Sequence, residues 1–422
     1  MNNKLIYQFS PSNTDGDKSM TDLLGGKGAN LAEMSLLGIN VPPGFTVTTE
    51  VCNYFMKHGN VPDSFDEELK QSLKNLEKTT NKIFDSDEKP LLLSVRSGGK
   101  ISMPGMMDSI LNIGINDKNL ESLSSDFNDE RFALDSYRRL IQMYGNVVLN
   151  IEMDRFEAIL DNKKRIDGVE KDNEFNPDQL RWIIDAFKTT VERFSKKSFP
   201  QDPNIQLNGA IEAVFKSWSN KRAVTYRKIN NIPDEWGTAA NVQSMVFGNL
   251  NEKSGTGVAF TRFPSTGKNK LYGEYLMNAQ GEDVVAGIRT PFPIGKHEKN
   301  TQPSLEEVNP AMYKEIKYIA DKLETHYKDV QDIEFTIEDS VVYILQTRSA
   351  KRTAQASVKI AVDMHNENLL TKEEAINMVD ANQITSVLHP QFKESSEREL
   401  FEKGLNASPG AAVGVIVFDP DT

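Results

Sequence analysis

Two short segments towards the far end of the chain most constrain what it can fold into. Residues 331–337 read QDIEFTI, and residues 341–348 read VVYILQTR. In the first segment Asp332, Glu334 and Thr336 alternate with apolar residues, the period of two that indicates a half-buried strand. A turn between the segments would make them a β-hairpin. The pattern therefore predicts a strand pair with one apolar face against a core and two carboxylates on the other face.

The register of this hairpin decides what its polar face can do. With a three-residue turn (EDS), Asp332 lies opposite Gln346, and Glu334 lies diagonal to it. Tyr343 and Leu345 then share the face opposite to Gln346. A two-residue turn would send Gln346 to the other face and break the cluster, so the register is part of the prediction.

The predicted polar face has the chemistry of a magnesium site. Carboxylate and amide oxygens from Asp332, Glu334 and Gln346 suit Mg²⁺ and the phosphates it bridges, and Arg348 lies on the same face. These three oxygen-bearing residues are the predicted metal ligands. The alternative is an ordinary hairpin with a solvated acidic face.

Blocks far from the hairpin carry a family resemblance together with it. They are GGKGANLAEMSLLGINVPPGFTVT (25–48), SVRSGGKISMPGMMDSILNIGIND (94–117), SGTGVAFTRFPSTGKNKLYGEYLMNAQGEDVVAG (254–287) and NASPGAAVGVIVFDPD (406–421). With QDIEFTI…YILQTRSAKRTAQA they follow, in order, the pattern of pyruvate phosphate dikinase and its relatives. The hairpin resembles the metal-binding end of the ATP-grasp nucleotide domain in that family.

This resemblance implies an α+β fold. Its parts are an ATP-grasp nucleotide-binding domain with a helical insertion, a helical linker, and the start of a β-rich swivelling phosphohistidine domain. The predicted boundaries are 1–115 for the first ATP-grasp subdomain, 116–200 for the insertion, 201–350 for the remainder with the hairpin, 351–403 for the linker and 404–422 for the start of the last domain.

Bulk composition excludes several other classes of protein. The chain has 422 residues, with 49 Lys and Arg against 61 Asp and Glu, a net charge of −12 that argues against a general nucleic-acid binder. Its single cysteine, Cys52, excludes an internal disulfide and fits a reducing compartment. No apolar run approaches the ~20 residues of a membrane span, and the N-terminus lacks the pattern of a signal peptide. We therefore expect a cytoplasmic protein that binds neither nucleic acid nor membrane.

Two cations stand next to glycines. Lys27 lies in GGKG at a predicted helix entrance, and Arg96 ends a predicted apolar strand before SGG. By resemblance, Lys27 contacts the ATP phosphates and Arg96 neutralises the transferring phosphoryl oxygens, so both are predicted to be catalytic. Read without the resemblance, Lys27 is a solvated surface lysine and Arg96 a strand-end ion pair.

The run SMPGMMD (102–108) places three methionines around a Pro-Gly turn. We interpret it as a lid over the nucleotide, with Gly105 in contact. Irregular core packing by adaptable methionines is the alternative. The PGMMD form is typical of pyruvate phosphate dikinases, whereas phosphoenolpyruvate synthases and antibiotic-inactivating phosphotransferases usually carry a different motif here.

Further nucleotide contacts are implied by resemblance. Gly255, Thr256 and Gly257 precede a predicted strand and resemble the glycine-rich loop whose backbone N–H groups cover the phosphates. Glu282 would bind the ribose or order the metal site, although a salt-bridge role is also open. Arg348 would add cationic charge beside the metal.

The resemblance implies a homodimeric enzyme that interconverts ATP, inorganic phosphate and pyruvate with AMP, pyrophosphate and phosphoenolpyruvate. In that family the phosphoryl group passes through a histidine in a Thr-Ser-His-Ala-Ala setting. The five histidines here stand in KHG, KHE, THY, MHN and LHP, and none fits. We therefore expect the front part of a longer enzyme, binding Mg²⁺, ATP and inorganic phosphate, whereas pyruvate and phosphoenolpyruvate would engage C-terminal domains. The alternatives are a phosphoenolpyruvate synthase-type water dikinase and a non-catalytic ATP-binding module.

Overall fold

A computed structural model describes residues 4–103, 105–285, 290–296, 302–381 and 384. The chain divides into two compact units, with the boundary between Val246 and Phe247. Each unit contains one five-stranded antiparallel sheet with helices packed on it, so the fold is mixed α/β. The predicted start of a phosphohistidine domain, 404–422, lies outside the described residues.

The first unit is built around a sheet whose strand order is β1-β2-β5-β3-β4. Its strands are β1 (Ile6–Phe9), β2 (Gly44–Val47), β3 (Leu93–Gly99), β4 (Ser109–Ile113) and β5 (Thr238–Ser244). Its helices are α1 (Thr21–Leu36), α2 (Thr49–His58), α3 (Phe65–Thr80), α4 (Leu120–Asp126), α5 (Glu130–Val147), α6 (Met153–Asp167), α7 (Pro177–Ser195), α8 (Pro203–Ser217) and α9 (Lys221–Ile229). The central strand β5 comes last in the sequence and pairs with strands from the first quarter of the chain.

The helix predicted at the glycine-rich segment forms, but α1 begins at Thr21, before that segment, and bends within it. At Gly25 the backbone is non-helical, with φ 66° and ψ 166°. Leu24 and Ala29 pack against Tyr7 of β1, which lays the helix on the sheet. Gly38 follows the helix with φ 68°, a left-handed conformation that glycine adopts without strain at the end of a helix.

The stretch predicted as a helical insertion carries α4, α5, α6 and α7. Helix α6 runs into the charged stretch 161–173 and ends within it. Beyond this stretch the chain turns after Trp218, which separates α8 from α9. Trp218 is 4% exposed, and its indole N–H donates to the Asp234 carbonyl, so this side chain belongs to the core.

The second unit contains a sheet with strand order β10-β9-β6-β7-β8. Its strands are β6 (Gly255–Phe260), β7 (Tyr272–Met277), β8 (Phe292–Pro293), β9 (Gln331–Glu338) and β10 (Val341–Ser349). Its helices are α10 (Gly281–Val285), α11 (Leu305–Val308), α12 (Pro310–Tyr327), α13 (Ala354–Asn366) and α14 (Lys372–Met378). The predicted hairpin is therefore the β9–β10 edge of this sheet.

Helices α13 and α14 occupy the first part of the predicted linker. Ile360 and Met364 form a buried cluster with Val330 and Ala350, which flank the hairpin at its open end. An ion-pair network adds to this packing, because the fully buried Arg262 guanidinium donates to Glu324 on α12 and to Glu367 at the end of α13. In the structure this part of the chain packs on the second unit. The domain boundaries predicted from the sequence remain predictions.

Among the described residues, no helix is both long enough and apolar enough to cross a membrane.

Candidate functional site

The hairpin forms, but its predicted register is wrong. Glu338 pairs with Val341, so the turn contains two residues and not three. Both turn residues have positive φ, 45° at Asp339 and 71° at Ser340, as a type I′ turn requires. This turn matches the right-handed twist of the flanking strands, which a three-residue connection would achieve only with a bulge beside it.

A β-bulge then restores the cluster that a two-residue turn alone would break. The register shifts between Ile344 and Gln346, so Leu345 has no partner on β9. Beyond the bulge Gln346 lies opposite Glu334, not opposite Asp332 as predicted. The predicted face of Tyr343 is also wrong, because it pairs with Thr336 on the polar side of the sheet.

The hairpin face, defined as Asp332, Glu334, Gln346 and Arg348, is held together by two cross-strand contacts. Gln346 Nε2 donates to Glu334 Oε1 at 3.1 Å, and Arg348 Nε donates to Asp332 Oδ2 at 2.7 Å. Asp332 and Gln346 are each 8% exposed, so these polar groups lie largely out of water. The structure thus brings all four predicted residues together.

This donor set fits Mg²⁺ that shares its coordination with a substrate. Among the described residues, no group of three or more His, Cys, Asp or Glu side chains is close enough to hold a metal ion. Two carboxylates with an amide beside them leave coordination positions for water and phosphate oxygens, the arrangement Mg²⁺ usually has in phosphate-transfer sites. The predicted ligands therefore have the chemistry of an Mg²⁺ site that shares its coordination with phosphate oxygens.

Burial raises the pKa of the Asp332 carboxyl. Arg348 opposes this shift by charge and hydrogen bonding, whereas the negative charge of Glu334 reinforces it. A buried carboxylate kept close to another carboxylate is electrostatically unfavourable unless a cation joins them. Arg348 supplies one cation beside these carboxylates, and a bound metal ion would supply a second.

The Ser-Gly-Thr-Gly segment is not a loop, so this part of the prediction is wrong. Gly255, Thr256 and Gly257 are the first residues of β6, between β7 and β9. A Cβ on Gly257 would lie 2.5 Å from the Phe335 ring, so glycine is needed there to make room for a core side chain. The Thr256 hydroxyl donates to the Phe335 carbonyl oxygen at 3.1 Å. Their nucleotide contacts remain predictions.

Two glutamates of the second unit lie in this region of the sequence. Glu274 is on β7 and lies opposite Val258 of β6, and Val258 lies opposite Glu334 of β9. Burial raises the pKa of the Glu274 carboxyl. Glu282 belongs to α10. Its predicted role in binding ribose or ordering the metal remains a prediction.

In the first unit the two predicted cations belong to segments that contact each other. Lys27 follows the bend of α1 at Gly25, and Arg96 lies within β3, not at its end. The residues after Arg96 continue the strand as far as Gly99. A Cβ built on Gly98 would lie 3.6 Å from the Lys27 Cβ. The GGKG segment (25–28) and the RSGG segment (96–99) therefore pack directly on one another.

This close packing can be tested at Gly25. A Cβ there would overlap the Gly98 carbonyl oxygen, and φ is 66°. We expect Gly25→Ala to destabilise the chain by about 3 kcal/mol or more, because a left-handed backbone and an overpacked contact are combined. Gly38→Ala is the matched control, since φ is 68° but nothing lies within 4 Å of the added Cβ. It should cost only about 1–2 kcal/mol. Equal losses of unfolding free energy in urea would contradict the packing.

The methionines of the PGMMD run pack against aromatic side chains. Met103 is buried with Trp218, while Met106 and Met107 pack on the same cluster beside Tyr226. This is the core-packing alternative, realised with adaptable side chains. Gly105 is exposed, has φ 70° and has open space at its Cβ position. Movement of the run as a lid, and a nucleotide contact at Gly105, remain predictions.

Sequence reasoning did not single out Asn241, and it assigned Tyr343 to the wrong face of the hairpin. Asn241 is fully buried in β5, and a polar residue inside a wholly buried strand is the signal that could have identified it. Tyr343 could not have been placed on the polar side of the sheet without knowledge of the two-residue turn.

Comparison with known proteins identifies the family. The family model described as "Pyruvate phosphate dikinase, AMP/ATP-binding domain" matches residues 21–86, 63–310 and 293–369. The chain is 50% identical over 423 residues to the pyruvate, phosphate dikinase of Rhizobium meliloti (strain 1021), covering 99% of this chain and 47% of that protein. It is 48% identical over 422 residues to the Clostridium symbiosum enzyme, covering 99% of this chain and 47% of the enzyme. For the chloroplastic enzyme of Mesembryanthemum crystallinum the identity is 47% over 421 residues, covering 99% and 43%.

The fold has two antiparallel sheets. The first unit carries cations on glycine-flanked segments, and the second carries the hairpin face of carboxylates and an amide. Each of these features agrees with a nucleotide-binding protein. The chain belongs to the pyruvate phosphate dikinase AMP/ATP-binding domain family. It spans about half the length of the curated relatives it matches, 47% of the Rhizobium and Clostridium enzymes.

Proposed function

We propose that this chain is the ATP- and phosphate-binding part of a pyruvate, phosphate dikinase. Such an enzyme converts ATP, pyruvate and inorganic phosphate to AMP, phosphoenolpyruvate and pyrophosphate. The observation that carries the proposal is 50% identity over 99% of the chain to a pyruvate, phosphate dikinase. The PGMMD run supports it against the water-using relatives.

Within this proposal the fold is an ATP-grasp domain, and the hairpin face holds the metal. Asp332, Glu334 and Gln346 would be the protein ligands of Mg²⁺. A bound Mg²⁺ supplies positive charge between phosphate oxygens and orients them. The cross-strand contact between Glu334 and Gln346 supports this assignment, because it keeps the two groups adjacent before any ligand arrives.

Cationic charge would come from Lys27, Arg96 and Arg348. Phosphoryl transfer is catalysed mainly by positioning and by neutralising charge on the transferring group, so these side chains need fixed places. Arg96 has such a place in a paired strand, and Arg348 is oriented by Asp332. Further nucleotide contacts are proposed at Gly105, Gly255, Thr256, Gly257 and Glu282.

The proposed role of this chain in the chemistry is to present the β-phosphoryl group to a histidine. The histidine nitrogen forms a bond to that phosphorus while the bond to the leaving phosphate of AMP breaks, so the histidine would then carry the β- and γ-phosphates. Inorganic phosphate would take the γ-phosphoryl group to give pyrophosphate and leave phosphohistidine. None of the five histidines here stands in the Thr-Ser-His-Ala-Ala setting that the resemblance requires. A segment carrying that histidine must therefore be supplied for turnover, and pyruvate would react on a further domain.

The proposal predicts that this chain binds Mg-ATP but forms no AMP by itself. When a polypeptide containing the family's phosphohistidine and pyruvate domains is added, we expect slow histidine phosphorylation and AMP release. The rate should be far below that of the joined enzyme, because the effective concentration of about millimolar that a short tether provides is lost. Calorimetric titration with Mg-ATP and acid-labile phosphate analysis check these outcomes.

Controls separate the three candidate functions. In the joined enzyme, pyrophosphate should form only when inorganic phosphate is present. Release of free phosphate in place of pyrophosphate would move the protein to the water-using enzymes. Mg-ATP binding without any histidine phosphorylation in trans or in the joined chain would indicate a non-catalytic binding module. An added polypeptide with its histidine replaced by alanine gives the background.

The proposal extends to a cytoplasmic location and to a homodimeric complete enzyme. The location is supported by a single cysteine, Cys52, which is buried. The homodimer rests on the family resemblance alone.

A further inference from the structure

Strand β5 lies at the centre of the first sheet, and each of its residues is buried. Asn241, in the middle of this strand, has no exposed surface. Its direct neighbours are Thr46 on β2 and Arg96 on β3. Because directly opposed residues of antiparallel strands share a face, the three side chains start from the same side of the sheet.

The side-chain amide of Asn241 is hydrogen-bonded to both neighbouring strands. Its Oδ1 accepts from the Thr46 hydroxyl at 2.9 Å, and its Nδ2 donates to the Arg96 carbonyl oxygen at 3.3 Å. A buried amide with partners on two strands fixes their relative position more strictly than an apolar side chain of the same size would.

The Asn241 side-chain amide also lies against one glycine of each segment that carries a cation, Gly28 and Gly98. A Cβ on Gly28 would lie 2.8 Å from Asn241 Oδ1, and a Cβ on Gly98 would lie 2.5 Å from its Nδ2. Neither distance leaves room for a side chain. The GGKG segment therefore lies close to β5 and to the RSGG part of β3 at one point, and Asn241 is at that point.

We propose that Asn241 is a positioning residue that sets the spacing between Lys27 and Arg96, and so prepares them to bind the phosphates of one nucleotide. This inference rests on the proposed function. Asn241 acts through the backbone of Arg96 and the packing of Gly28 and need not touch the nucleotide. Its contribution should therefore be specific for ligands that carry phosphates.

The test compares Asn241→Ala with Gln243→Ala in the whole chain. Gln243 is the matched control: it is 2% exposed, lies two residues further along β5, and donates its amide N–H to the Pro42 carbonyl. Dissociation constants for Mg-ATP and for adenosine are measured by NMR titration. Asn241→Ala should weaken Mg-ATP binding about tenfold and leave adenosine binding within about twofold, because only the phosphate contacts are displaced. Gln243→Ala should not alter the ratio of the two constants.

Two further variants address folding and coupling. Thr46→Val keeps the side-chain shape but removes the donor to Asn241. The dissociation constant for adenosine divided by that for Mg-ATP should therefore fall about threefold. This variant tests the inference even if Asn241→Ala does not fold. In the double variant Asn241→Ala with Arg96→Ala, the loss of Mg-ATP affinity should be smaller than the sum of the single losses.

The outcomes separate this inference from the proposed function. If the parent chain does not bind Mg-ATP, the proposed function fails and the positioning role fails with it. If the parent binds but Asn241→Ala and Thr46→Val keep its ratio of constants, the positioning role alone is overturned. Equal weakening of Mg-ATP and adenosine, or strict additivity with Arg96→Ala, would assign Asn241 a structural role only.

Discussion

Replacing Arg96 by alanine in the joined enzyme is expected to slow histidine phosphorylation about 100- to 1,000-fold, the usual cost of losing one preorganised charge contact to a transition state. Arg96 is paired on both sides, to Asn241 and to Ser109, so the strand should keep its place when the side chain is shortened. Single-turnover AMP formation from Mg-ATP gives the rate. The thermal unfolding midpoint should change little.

A matched arginine tests whether this effect is local. Arg155 lies on α6 in the same unit and pairs with Glu152 at 2.7 Å, with both side chains exposed. Arg155→Ala should keep the parent rate, because exposed ion pairs contribute about 1 kcal/mol or less to stability. A near-normal rate in Arg96→Ala would remove this residue from the site, whereas similar losses in both variants would indicate a global effect.

Asp332→Asn is expected to weaken Mg²⁺-dependent ATP binding about 100-fold or more, because a charged ligand is replaced by a neutral one. The same change should not lower the thermal unfolding midpoint at pH 7. Burial raises the pKa of the Asp332 carboxyl, so the folded chain holds this proton more tightly than the unfolded chain does. The stabilisation by the bound proton is present at low pH and is lost as the pH rises through the raised pKa.

Because the pKa of Asp332 is raised on folding, the effect of Asp332→Asn on stability should also depend on pH. At neutral pH the charged Asp332 disfavours the folded state, and asparagine avoids that cost. The difference in unfolding midpoint between Asp332→Asn and the parent should therefore shrink as the pH falls below the raised pKa. Calorimetric scans without magnesium at several pH values measure it.

The turn of the same hairpin supplies the control. Asp339 is an exposed carboxylate with φ 45°, a conformation asparagine tolerates. Asp339→Asn should bind Mg-ATP like the parent. A large loss of stability in Asp332→Asn, with unchanged magnesium dependence, would mean that Asp332 is a structural residue and not a metal ligand.

The strands of the hairpin were predictable because their signal is local. Alternation in QDIEFTI indicates a strand wherever it is placed, and the polar set on one face follows from the pleat. The turn and the bulge were not predictable in the same way. Both two- and three-residue connections fit the letters between the strands, and the position of a bulge depends on how the sheet as a whole twists.

The glycines of β6 could not be assigned to a strand from the sequence, for a different reason. Ser-Gly-Thr-Gly has the composition of a turn, and only the three-dimensional neighbour explains why glycine stands in a strand. That neighbour is the ring of Phe335, which needs the space above Gly257. Similarly, Asn241 meets Thr46 and Arg96 across separations of 195 and 145 residues. No local pattern reports pairings over such distances.

The bulge at Leu345 restricts how this hairpin can change in length. Each residue added to or removed from the turn inverts which side chains of β10 meet the polar face of β9, because the pleat repeats every two residues. A second change of odd length on the same strand cancels the inversion. Relatives that keep Gln346 and Arg348 in place should therefore pair any odd insertion in the turn with loss or gain of the bulge. Single-residue deletions at Leu345 alone should be absent among functional sequences, whereas a deletion at Leu345 combined with one added turn residue should be tolerated.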